Sequence, residues 1–146
     1  MKLLVAVDLS ESTAKVVSKA AELAKGLSAD VWLLHVAEPE PDFVGLGMGP
    51  QTVRDATARD LRSEHRQIQE VAEGLRRAGV QTTALLVQGA TAETILAEAS
   101  RLDVDMIVVG SHGRGAMHRL LVGSVSEGVL HKSTWPVVVV PTHERI

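Results

Sequence analysis

The fold is decided by VDMIVVGSHGRGAMHRLLVGS, residues 104–124. An apolar run of strand length reaches Gly110, and four glycines lie among the fifteen residues 110–124. A helical pattern then opens near Gly123-Ser124. A chain that leaves a strand, turns on glycine and enters a helix makes either a tight connection or a cradle for an anion. The second outcome uses glycine to bring backbone N–H groups close to a ligand and the helix start to supply unpaired donors.

Four more apolar runs of the same length recur, LLVAV (3–7), DVWLLHV (30–36), VQTTALLV (80–87) and PVVVVP (136–141). None alternates apolar with polar, the pattern of strands covered on both faces. Segments of helical period separate them. In 11–28 the stripe Ala14, Val17, Ala20 or Ala21, Ala24 and Leu27 faces a core, with Ser10 placed as its cap. In 52–78 the stripe is Leu61, Ile68, Val71, Leu75 and Ala78, ended by Gly79. Residues 91–102 form a third helix with Glu93 in its first turn, and a fourth runs from about Gly123 to His131. Strict alternation of strand and helix predicts a doubly wound, Rossmann-like α/β domain over residues 1–146.

Composition narrows the function. The chain of 146 residues carries a formal charge of −3, one Phe, two Trp and no Tyr. It therefore lacks both the basic face and the aromatic platform of a nucleic-acid reader. Without cysteine, thiolate nucleophiles and Cys-ligated zinc are excluded. The apolar run Leu3–Val7 ends at Asp8, too short for a leader core or a membrane span, so a soluble cytoplasmic protein is expected.

Residues 37–51, with three prolines and three glycines, form an unusually long connection that reads either as a plain crossover or as a lid. His35, inside a strand run, reads as a packed histidine rather than a ligand.

Open α/β sheets bind ligands at the carboxyl ends of their strands, where strand order reverses. If the first strand lies beside the fourth, Asp8 and Gly110 meet there, with Ser124 and Ser126 adding hydroxyl donors. No G-x-x-x-x-G-K-[ST] and no G-x-G-x-x-G occurs, which disfavours a Walker ATPase and a dinucleotide dehydrogenase. Taken alone, glycines at a strand end mark tight packing more often than a ligand.

The spacing Gly110-x2-Gly113-x9-Gly123-Ser124, with VAVDLSES (5–12), LLHV (33–36), GSVSEGVL (123–130) and WPVVVVP (135–141) in the same order, resembles the universal stress protein family. The resemblance covers nearly the whole chain. It implies a five-stranded sheet of order 3-2-1-4-5 that binds ATP or another adenine nucleotide. Asp8 would lie by the ribose or a bound metal such as Mg²⁺, and the backbone near Val36 would meet the adenine. Gly110, Gly113, Gly123, Ser124, Val125 and Ser126 would surround the phosphates, with Ser111 and His112 lining that loop. Leu9 departs from the family, where many members carry glycine.

Each residue also has a plainer role. Asp8 could serve only the following helix, His112 could act as a donor or an acid–base group, and Arg114, His118 and Arg119 could be solvated. Three functions stay open: a nucleotide-binding regulator or sensor of the stress response, a slow ATPase or phosphotransferase, and an interaction scaffold. No signature base or water-positioning residue for phosphoryl transfer is apparent. The run 136–141 would form a sheet edge, which predicts a twofold homodimer through that strand, against an edge guarded by Pro136 and Pro141.

Overall fold

The computed structural model describes residues 1–38, 50–112 and 123–142, the side chains of 50–57 excepted. Five strands and four helices alternate: β1 (Lys2–Ala6), α1 (Thr13–Leu27), β2 (Asp30–Ala37), α2 (Pro50–Arg77), β3 (Thr82–Gln88), α3 (Thr91–Leu102), β4 (Met106–Gly110), α4 (Ser124–Lys132) and β5 (Val137–Val140). All pairings are parallel, and the strand order is β3-β2-β1-β4-β5. Both expectations for the fold, the doubly wound class and the order 3-2-1-4-5, therefore hold.

The uninterrupted apolar strands follow from two cores. Because successive side chains point to opposite faces, Leu3, Val5 and Val7 join Val31, Leu33 and Val108 on one side, under Val16, Ala20 and Ala24 of α1 and Ile68, Ala72 and Leu75 of α2. Leu4, Leu34, Val36, Ile107 and Val109 face the other side, where Ile95 and Ala99 of α3 and Val129 of α4 cover them. Each fully buried Leu, Ile or Val contributes on the order of 1.5–3 kcal/mol. A strand apolar on both faces is thus what this covered sheet requires.

Several boundaries shift from expectation by a residue or two, and two of the shifts have a clear cause. The last strand is Val137–Val140, with both flanking prolines outside it, since proline has no N–H for the ladder. The first helix starts at Thr13 with Ser12, not Ser10, at its N-cap, and Ser12 makes no side-chain cap bond. The Ser10 hydroxyl is drawn instead to the Asp8 carboxylate. Gly79 does follow the end of α2, at φ +90, where a β-carbon is disfavoured.

The β1–β4 pairing, Leu3↔Met106 to Val5↔Val108, sets the switch point. After β1 the chain moves toward β2 and β3, and from β4 toward β5. Among the described residues no helix crosses above that division, so the carboxyl ends of β1 and β4 border a crevice. β2 and β3 stay paired as far as Ala37↔Gln88, whereas β1 pairs with β2 only as far as Ala6↔Leu34. The last residues of β2 thereby become one wall of the crevice.

Candidate functional site

A cleft of about 530 Å³ occupies this crevice. Val7, Asp8, Ser12 and Thr13 line it from the β1–α1 turn, His35 to Glu38 from β2, and Val109, Gly110 and His112 from β4. Gly123 to Ser126 line it from the start of α4, and Glu64 and Thr91 from α2 and α3. Sequence segments more than a hundred residues apart are thus brought to one cleft.

The α4 wall follows from helix geometry. The first intrahelical bond runs from the Glu127 N–H to the Gly123 carbonyl at 2.9 Å. Ser124, Val125 and Ser126, in the first turn, therefore have N–H groups without an intrahelical acceptor. Gly123 is extended, with φ −75 and ψ 168, so the chain enters the helix directly from the cleft edge. Unpaired amides and the positive end of the helix dipole make this wall suited to an anion. Ser124 and Val125 are exposed, while Ser126 is buried.

Several predicted donors are committed to the protein itself. The Ser126 hydroxyl donates to the Gly110 carbonyl and is only 2% exposed, which ties α4 to β4 at the cleft edge. The Gly123 N–H donates to the Ser111 carbonyl, and the Ser111 N–H to the Val140 carbonyl at 2.8 Å. The buried Ser111 side chain accepts from the Thr142 N–H at 3.1 Å and does not line the cleft. Gly110 is closely packed: a β-carbon there would sit 3.0 Å from Thr142 Cγ2 and 3.1 Å from Val16 Cγ2. Gly113, Arg114, His118 and Arg119, and residues 39–49 of the long connection, lie outside the described residues.

Opposite α4, Asp8 organises the β1–α1 turn. Its Oδ1 accepts from the Ser10 N–H at 3.0 Å and from the Ser10 hydroxyl at 2.5 Å, with the Ser12 hydroxyl at 3.4 Å. The turn is made by Leu9 at φ 62, a left-handed conformation that costs a residue with a β-carbon about 1–2 kcal/mol. Partial burial of the Leu9 side chain against the α1–α2 core offsets that cost. The departure from glycine at this position thus keeps the turn and adds a core contact.

His35 shares two roles. It is buried, and its Nδ1 lies 2.9 Å from the Val7 carbonyl, which can only accept, so Nδ1 carries the proton. Its Nε2 lies 3.6 Å from a Glu64 carboxylate oxygen of α2. The histidine is packed, as its sequence context indicates, and it also lines the cleft. Glu38 is held by the Thr91 hydroxyl at 2.8 Å. Glu38, Glu64, Thr13 and Thr91 carry no local sequence signal that places them here, because only the tertiary fold brings their elements to this edge. Val36, predicted near a base, is buried at the β2 wall.

Comparison with known proteins agrees with this architecture. The model of the universal stress protein family matches residues 1–141. Universal stress protein YxiE of Bacillus subtilis is 34% identical over 144 residues, covering 95% of this chain and 97% of that protein. The solved structure of MJ0577, a universal stress protein of Methanocaldococcus jannaschii, superposes with a TM-score of 0.87 at 26% identity, covering 99% of this chain and 97% of that one. A solved universal stress protein in complex with cAMP shares the fold at TM-score 0.71 and 22% identity, over 98% of both chains. By the span of the family match and the identity to its members, this chain belongs to the universal stress protein family.

Proposed function

We propose that the cleft binds an adenine nucleotide, with its phosphate against the first turn of α4, and that occupancy makes the protein a regulator or sensor in the stress response. The observation that carries this reading is the set of α4 amides at Ser124, Val125 and Ser126, which border a cleft at the sheet's switch point. A family member of the same fold in complex with cAMP supports an adenine ligand. The apolar floor of Val7, Val36, Ile95 and Val109 suits the flat face of a base.

ATP as the resident nucleotide, with Mg²⁺ beside it, is part of the proposal. Among the described residues no three His, Asp or Glu side chains gather to hold a metal. Mg²⁺ is commonly held by one or two carboxylates plus substrate phosphates, so the ion would arrive with the nucleotide and take the Asp8 carboxylate as its protein ligand. Bound there, it would neutralise phosphate charge.

The reading includes a cytoplasmic homodimer joined through β5. That strand is the edge of the sheet and pairs only with β4 among the described strands. Val125 and Leu130 of α4 are exposed apolar residues. No described helix is long and apolar enough to cross a membrane. Sedimentation at micromolar concentration should give a dimer; a monomer throughout would remove this part.

The deciding experiment is mass spectrometry of small molecules released by denaturing the purified protein, with thermal-shift titration by ATP, ADP, AMP and cAMP. An adenine nucleotide in the released fraction, or a saturable rise in melting temperature, is expected. An empty protein that ignores all four would leave the scaffold reading. Phosphate release under excess ATP separates binding from slow hydrolysis.

A further inference from the structure

Thr13 is the first residue of α1 and lines the cleft on the side of Asp8. It is 8% exposed, and its hydroxyl oxygen is buried with no hydrogen-bond partner among the described residues. A buried hydroxyl left unpaired is costly, and native structures rarely keep one without a use. The neighbouring hydroxyls do not share this state: Ser10 and Ser12 bond each other at 2.8 Å, and Ser10 bonds Asp8.

We infer that the Thr13 hydroxyl is a ligand-positioning group that receives a sugar hydroxyl of the bound nucleotide. This rests on the nucleotide reading above. The chemistry on this side of the cleft selects a neutral oxygen over an anionic one. Asp8, Glu38 and Glu64 line it, and no Lys or Arg is among the described lining residues. A phosphate without a bound cation would be repelled here and is drawn to the α4 amides instead. A sugar hydroxyl is both donor and acceptor, so it fits between a carboxylate, which only accepts, and a threonine hydroxyl, which donates.

The inference separates stability from binding. Thr13→Val is nearly isosteric and removes a hydroxyl that has no bond to lose, so the ligand-free protein should melt at or above the wild-type temperature. Its affinity for AMP, by calorimetry, should fall about threefold to tenfold, the range for one lost neutral hydrogen bond, while Thr13→Ser should stay near wild type. Either 2′-deoxy-AMP or 3′-deoxy-AMP should bind wild type more weakly by a similar factor. That same analogue should show no further loss on Thr13→Val, which identifies the hydroxyl involved. Wild-type affinity in Thr13→Val, or additive losses with both analogues, would overturn the inference alone. Failure of wild type to bind AMP at all would overturn it together with the nucleotide reading.

Discussion

Replacing Ser124 by proline removes one backbone donor from the cleft while leaving the helix able to form. Ser124 is the first residue of α4, the position where proline is tolerated because its N–H has no intrahelical acceptor. Proline also demands an extended residue before it, and Gly123 already has ψ 168 and no β-carbon to collide with the ring. Stability should therefore change by no more than about 1 kcal/mol. Binding should change more. A hydrogen bond from an amide to a charged phosphate oxygen is worth roughly 1.5–3 kcal/mol, which corresponds to a loss of about tenfold to a hundredfold in Kd. Ser124→Ala keeps the amide and removes only the hydroxyl, so it isolates the backbone contribution. The assay is calorimetric titration of AMP and ATP into wild type, Ser124→Ala and Ser124→Pro, with thermal melts of each ligand-free protein. Equal affinity of Ser124→Pro and Ser124→Ala, both folded, would refute the reasoning that α4 amides hold the phosphate.

Three further outcomes follow from particular contacts. Leu9→Val should destabilise the protein more than Leu9→Gly, although valine keeps more apolar surface, because a β-branched residue at φ 62 is more strained than leucine and glycine is not strained at all; urea denaturation giving the reverse order would remove strain as the controlling effect. Gly110→Ala should cost on the order of 1–3 kcal/mol, since its β-carbon would press on Thr142 and on Val16 of α1, and an unchanged urea midpoint would show that these neighbours yield freely. His35→Phe should cost about 1–3 kcal/mol by leaving the Val7 carbonyl without its side-chain donor, checked by chemical denaturation, with wild-type stability as the contrary result.

The sheet was legible because its physics is local and repeated. Runs such as Leu3–Val7 and Val137–Val140 are apolar at every position, which only a doubly covered strand needs. The glycine at 110, the turn at Asp8 and the helix start at Ser124 were legible for the same reason. What each group does there was less so. Ser10 and Ser12 both satisfy the rule for a helix cap, and the choice fell to the Asp8 carboxylate, which captured the Ser10 hydroxyl. Ser126 has the chemistry of a ligand donor, yet its side chain turns to the Gly110 carbonyl because it lies on the buried face of α4. Gly110 serves close packing, a neighbour relation set by β5 and α1 and absent from any local pattern. Glu64 and Thr91 reach the cleft through the packing of α2 and α3, so nothing in their own segments marks them.

The central claim is that the first-turn amides of α4 grip the nucleotide's phosphate. Amide resonances of ¹⁵N-labelled protein titrated with AMP test it directly, with adenosine as the ligand lacking phosphate. The account predicts saturable shifts at Ser124, Val125 and Ser126 with AMP that are much smaller with adenosine. Shifts with AMP that leave those three amides unmoved, or that adenosine reproduces in full, would contradict it.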